Sequence, residues 1–188
     1  MNKKCDIIVA GVGGQGIVLS SMILGTACII EGLSVKGAEV HGMAQRGGSV
    51  EAHIRIGCIY GPMIPSGKAD ILIAMEPLEG ARYSFYLKEN KPAIINTFQI
   101  PAMGNTYKTE DMLDIIKEKT GNIIAGDFTS ESIKIGSIRI LNILMLGITA
   151  RYVPVKKESM IEAIKQNVRK NLVDINLNAF NRGYEISL

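Results

Sequence analysis

Apolar positions in this chain fall into short continuous runs that alternate with stretches of helical spacing. Cys5-Asp6-Ile7-Ile8-Val9-Ala10 reads as a buried strand leading into a glycine-rich turn. Ile17, Leu19, Ile23, Leu24, Ala27 and Ile30 then recur as on a helix, which Gly32 can stop. Residues 34–39 suit a second strand. Ser49-Val50-Glu51-Ala52-His53-Ile54-Arg55-Ile56 alternates polar and apolar, the pattern of a strand with one wet face. Ile71-Leu72-Ile73-Ala74-Met75 is wholly apolar, as a central parallel strand requires, and Glu76-Pro77 ends it. A short helix is expected through Arg82 to Leu87, with two further strands at 93–96 and 122–126. Between those strands Thr109 can cap a helix over 110–119. Helices over 137–151, 159–170 and 173–181 close the chain. The alternation predicts a single α/β domain, a Rossmann-like and mainly parallel sheet flanked by helices.

The stretch 137–151 departs from the usual amphipathic pattern. Ile138, Ile140, Leu141, Ile143, Leu144, Met145, Leu146 and Ile148 cover more than one stripe, and Arg139, Asn142 and Thr149 make little of a polar face. Either the C-terminal helices cover it or part of it is an interface. The second reading predicts that the isolated chain is at least a homodimer.

Composition narrows the class. A chain of 188 residues with 47% hydrophobic and 21% charged residues can bury a sizeable core and is not a disordered one. A net charge of +3 is too small to point to nucleic acid or to an anionic membrane surface. The longest apolar stretches, 17–30 and 138–150, stop short of the ~20 residues of a membrane span. No signal-peptide h-region or cleavage site is visible, so a cytoplasmic protein is expected. Cys5, Cys28 and Cys58 are far apart and form no C-x-x-C, so this chain alone is not expected to hold zinc or an iron–sulfur cluster.

Two segments carry candidate chemistry. Gly11-Val12-Gly13-Gly14-Gln15-Gly16 has the spacing G-x-G-x-x-G between a strand and a helix. Such a turn lets backbone amides approach a phosphate at a helix start. The alternative is a tight turn that needs small residues and binds nothing. The second segment is His41-Gly42-Met43-Ala44-Gln45-Arg46-Gly47-Gly48. Arg46 offers a planar fork for carboxylate or phosphate, or forms an internal ion pair with Glu39 or Glu76. Gly47 and Gly48 can turn amides toward an anion, and His41 can titrate near neutral pH or simply end a strand. Glu39, closing the second strand, is a solvated or salt-bridged carboxylate or, in the alternative of a free-standing NAD(P)-binding dehydrogenase or a non-enzymatic nucleotide-binding protein, a holder of a ribose hydroxyl; its place beside the His41–Gly48 segment favours the first. Glu76, Asn96 and Asp127 also fall at predicted strand ends. No catalytic triad order or metal-ligand spacing is present.

Gly11 to Leu19, together with Glu39-Val40-His41-Gly42-Met43-Ala44-Gln45-Arg46-Gly47-Gly48-Ser49-Val50, resembles the gamma-type domain of 2-oxoacid:ferredoxin oxidoreductases. The second string, with Ile64-Pro65, Glu76-Pro77-Leu78-Glu79, 142–147 and 177–183, is most similar to the indolepyruvate branch of that family, where the domain is the beta subunit. The resemblance spans 1–188. It implies an accessory subunit, inactive alone, of a complex that oxidatively decarboxylates indolepyruvate or a similar aryl pyruvate to aryl-acetyl-CoA and reduces ferredoxin. Thiamine diphosphate and iron–sulfur clusters are then expected in a large partner subunit, with CoA as co-substrate. The resemblance carries the binding site to Arg46, Gly47 and Gly48; with the two segments read above, the candidate binding residues are Gly11, Gly13, Gly14, Gln15, Gly16, His41, Gln45, Arg46, Gly47 and Gly48, and no catalytic residue is implied.

Overall fold

In the computed structural model the described residues are 4–42, 48–57, 61–100 and 107–186. The first apolar run forms β1 (Cys5–Val12), buried at all but two positions, and the glycine turn leads into α1 (Ile17–Ile30). β2 (Val35–His41) follows, then β3 (Ser49–Ile56), β4 (Ile71–Ala74) and α2 (Pro77–Tyr83). β5 (Ala93–Asn96), α3 (Thr109–Lys117) and β6 (Ile123–Gly126) continue the alternation. Four helices close the described chain: α4 (Phe128–Ile135), α5 (Leu141–Thr149), α6 (Lys157–Asn167) and α7 (Val173–Glu185).

The six strands form one sheet in the order β2-β3-β1-β4-β5-β6. β1, β4, β5 and β6 are mutually parallel. β3 runs antiparallel to both β1 and β2, so five strands share a direction and one opposes it. The crossover through α1 therefore leaves a gap beside β1, and β3 returns into it. That insertion corrects one expectation. β3 has no wet face: His53 is 0% exposed and Glu51 only 6%. On that face Tyr86 sets its ring edge-on to His53 at 5.1 Å, and His53 Nδ1 accepts the Ile64 amide at 3.1 Å. Arg55, on the same face, grips Asp6 through Nε (2.9 Å) and Nη2 (3.1 Å). The wet strand is β2, at the sheet edge.

Three more local differences have plain causes. Thr109 is the first residue of α3 rather than its cap, because its hydroxyl is used by Gln99 Nε2 at 2.8 Å. α4 was not expected from the pattern; Asp127 caps it, accepting the Ser130 amide at 2.9 Å. The helix expected over 137–151 is a short 3-10 turn, Ile138–Ile140, followed by α5.

Every residue of α5 is buried. α7 crosses it at Gly147 and Gly183, where a Cβ on either glycine would overlap main-chain atoms of the other helix. α7 of the same chain occupies the surface of α5, so that helix is covered by the C-terminal helices, the first of the two readings. The exposed large apolar side chains of this region reduce to Ile138, before α5, and Ile133 on α4.

At the opposite end of the sheet from the glycine turn, Asp70 accepts the Asp6 amide at 3.0 Å and the Lys88 ammonium at 2.7 Å. Burial acts to raise its pKa, but the bond from Lys88, the Asp6 amide and the charges of Lys88 and Lys91 outweigh it, holding the carboxyl below its ordinary range. A depressed carboxyl contributes stability above its unfolded pKa of about 3.9 and loses it as the pH falls through the folded value. Asp70→Asn is therefore expected to melt below the parent at pH 7, the gap closing as the pH falls from about 4 downward. Thermal denaturation at stepped pH checks this; a pH-independent gap would contradict it.

Candidate functional site

The glycine turn is closed by a side chain as much as by its backbone. Gln15 folds back so that Oε1 accepts the Val12 amide at 2.7 Å and Nε2 donates to the Met75 carbonyl at 2.9 Å. Gly11 makes room for this: a Cβ there would lie 2.6 Å from Gln15 Oε1 and 2.9 Å from Met75 Cβ. The Met75 carbonyl, at the end of β4, also receives Asn96 Nδ2 at 2.9 Å, and Asn96 in turn bonds Thr129. Gln15 and Asn96 thus tie β1, β4, β5 and α4 together at the C-terminal edge of the sheet. Asn96 is fully buried and structural.

Gly14 has φ +104° and meets nothing within 4 Å on the side where a Cβ would stand. Gly16 caps α1 in the left-handed region; its carbonyl accepts the Ser20 amide at 3.0 Å and Asn142 Nδ2 at 3.2 Å. Among the described residues no side chain caps α1, which leaves its first-turn amides open to an anion. Gly13 is different. Its amide donates to the Gly48 carbonyl at 2.9 Å, which joins the two glycine segments that lie apart in sequence.

A cavity of about 320 Å³ opens against this turn. It is lined by Gly14 and Gln15 from the turn, by Phe98 and Ile100 beyond β5, by Thr129 from α4, and by Ile138, Arg139 and Leu141 around the start of α5. The site is beyond the C-terminal strand ends, where open α/β sheets bind ligands. One guanidinium, a helix N-terminus and exposed apolar groups in one crevice suit a ligand that joins phosphate to an apolar or aromatic part. Sequence reasoning did not select Arg139 or Phe98. The only signal was a lone cation at the head of an apolar run.

Other selected residues lie elsewhere. His41 Nε2 is 3.7 Å from Glu39 Oε2, and Glu39 Oε1 accepts the Ser21 hydroxyl at 2.8 Å; neither residue lines the cavity. β3 also separates β2 from β1, which sets the end of β2 about 10 Å from the glycine turn, two strand spacings. In a dinucleotide-binding sheet the ribose carboxylate stands on the strand next to the turn. Glu39 is the paired surface carboxylate that the sequence reading favours, and the ribose alternative falls away. Glu76 is 1% exposed and caps α2, accepting the Glu79 amide at 3.0 Å. Burial pushes its pKa up, against the amides of Glu79, Ile100 and Leu78, which lower it, and with the Glu79 charge, which adds to the rise. Asp127 is used as the α4 cap. Gln45, Arg46 and Gly47 lie outside the described residues.

The described residues do not suit a redox centre. Cys5 and Cys28 are buried in the core, and burial first, then nearby acidic charge, pushes their thiols up to about 12 and about 11. Such groups stay protonated and are poor metal ligands. Among the described residues no group of three or more His, Cys, Asp or Glu side chains is placed to hold a metal ion. Nor is any single helix among them long and apolar enough to cross a membrane.

A family model described as pyruvate ferredoxin/flavodoxin oxidoreductase matches residues 6–186. The chain belongs to the pyruvate ferredoxin/flavodoxin oxidoreductase family. Among relatives in this oxidoreductase family, the indolepyruvate oxidoreductase subunit IorB of Archaeoglobus fulgidus is 40% identical, over 96% of this chain and 94% of its own length. The pyruvate oxidoreductase subunit PORC of Thermotoga maritima is 25% identical and superposes with a TM-score of 0.73 over 97% of this chain and 96% of that one. A 2-oxoglutarate:ferredoxin oxidoreductase from Magnetococcus marinus, with 2-oxoglutarate, coenzyme A and succinyl-CoA bound, shares the fold at a TM-score of 0.76 and 19% identity. This chain covers 98% of itself but 31% of that protein, so there the fold is one part of a longer chain.

Proposed function

We propose that this chain is the accessory beta subunit of a complex that oxidatively decarboxylates indolepyruvate, or a similar aryl pyruvate, to the aryl-acetyl-CoA and passes the electrons to ferredoxin. The observation that carries this reading is the 40% identity to an indolepyruvate oxidoreductase subunit along nearly the full length of both chains. A larger subunit supplies thiamine diphosphate and the iron–sulfur clusters, in keeping with the protonated, scattered thiols of this chain. Its own residues act on the coenzyme A side. In this reading the turn residues Gly14 and Gln15 ahead of α1, together with Arg139, receive a phosphate, while Phe98 and Ile138 flank an apolar or aromatic part of the ligand. The chain binds and orients; no residue of the cavity is arranged to move a proton.

The test uses the complex assembled with its large subunit. Removing Arg139 takes away one charged hydrogen-bond donor, about 1.5–3 kcal/mol, or about 10- to 150-fold in affinity. Arg139→Ala is expected to raise the KM for coenzyme A by that factor in ferredoxin reduction, with the KM for aryl pyruvate unchanged. An unaltered coenzyme A dependence would remove the cavity from the reading. Nucleotide-dependent hydride transfer by the pure chain would replace the reading altogether.

A further inference from the structure

Ser49 opens β3 directly after Gly48, and α2 holds it there. Its hydroxyl lies against Glu79 Oε2 and 2.8 Å from the Tyr83 hydroxyl, both on α2. Two hydroxyl protons link the three groups in series: with Ser49 O–H donating to the Glu79 carboxylate, Tyr83 O–H donates to Ser49. Burial pushes the Tyr83 phenol up, and the Glu51 and Glu79 charges add to this against the Ser49 bond, so the phenol remains a donor. Glu79 is 5% exposed, and its second oxygen accepts Arg82 Nε at 3.3 Å.

The main chain on either side of Ser49 carries the connection onward. The Ser49 carbonyl accepts the Gly42 amide, and the Gly48 carbonyl accepts the Gly13 amide, each at 2.9 Å. The middle glycine of the turn is thus held by a residue whose neighbour is anchored on α2. A buried carboxylate is a costly way to stabilise a fold that an apolar contact would serve as well. Its return is positional: a satisfied polar network admits one arrangement where apolar packing admits several. We propose that Glu79 and Tyr83, acting through Ser49, are positioning residues that set the glycine turn, and with it the coenzyme A crevice, in register with the start of β3. This rests on the coenzyme A reading of the turn.

The variants are Tyr83→Phe and Ser49→Ala, which remove only hydroxyls, and Ser49→Thr, which restores one on a residue suited to a strand. Amide exchange of Gly13 is followed in the full-length chain, and the KM for coenzyme A and for aryl pyruvate in the assembled complex. Tyr83→Phe and Ser49→Ala are expected to speed Gly13 exchange and to raise the coenzyme A KM about five- to tenfold, the size of one lost hydrogen bond. The aryl pyruvate KM stays unchanged, and Ser49→Thr recovers both properties. Unchanged Gly13 exchange and unchanged KM, with only a lower Tm, would overturn the proposal and leave the triad a plain packing contact. Faster exchange with an unchanged coenzyme A KM would uphold the positioning of the turn and sink the coenzyme A reading instead.

Discussion

Gly183→Ala is expected to destabilise the chain by about 3–5 kcal/mol, the upper range of overpacking and core disruption. At the α5–α7 crossing the added Cβ would overlap the Leu144 carbonyl oxygen and stand 3.2 Å from the Gly147 Cα. These are main-chain atoms inside helices, so no rotamer change relieves the overlap. α7 has to move away along its length, drawing the buried Ala179 and Phe180 off α5. For a chain of this size the Tm should fall by roughly 10 °C. Gly147→Ala should act the same way, since its Cβ would overlap the Phe180 carbonyl oxygen and stand 2.9 Å from the Tyr184 nitrogen. Because both clashes express one constraint, the double variant should cost less than the sum of the two. A Tm within a degree or two of the parent for both single variants would show that the helices separate without loss.

Gly14→Val should separate ligand from fold in the opposite sense. Its φ of +104° costs a branched residue about 1–3 kcal/mol. Nothing lies within 4 Å of the added Cβ, so the fold absorbs that strain without a clash. The new methyl groups would instead stand in the crevice beside the Arg139 side of the cavity. Displacing a bound group by about 1 Å can cost two orders of magnitude in rate, and that is the loss expected in coenzyme A-dependent turnover. Circular dichroism and co-purification with the large subunit should match the parent. Full turnover by the variant would mean that the turn serves only to connect β1 to α1.

The contrast between these two substitutions follows from what each glycine meets. Gly183 and Gly147 sit in helical stretches whose apolar spacing was readable, and nothing in that spacing marks them as a crossing point. Gly14 stood in a motif readable from the strand before it and the helix after it. The motif says that backbone is close to something; it does not say whether the neighbour is a ligand, a side chain or another strand. In this chain Gly14 faces a cavity, Gln15 fills the space above Gly11, and Gly13 is bonded to Gly48.

Runs and periods along the chain were enough for β1 through α1, for β4 and β5, and for the α/β class, because each of those signals is local. A continuous apolar run needs cover on both faces wherever it goes. The two glycine segments likewise carried the family resemblance. Strand order is not local. The alternation in β3 shows one apolar and one polar face, and only the insertion of β3 beside β1 decides that the polar face is closed over by Tyr83, Tyr86 and Ile64. The same insertion moves Glu39 away from the glycine turn. α5 shows apolar residues all round, and the glycine crossing with α7 decides that this chain, not a second copy, covers them. Arg139 and Phe98 are single residues with no period to mark them, and they reach the turn only because α5 and the end of β5 converge there. Periodicity states which surfaces must be covered; long-range pairing, paid for in loop-closure entropy and recovered in burial, decides by what.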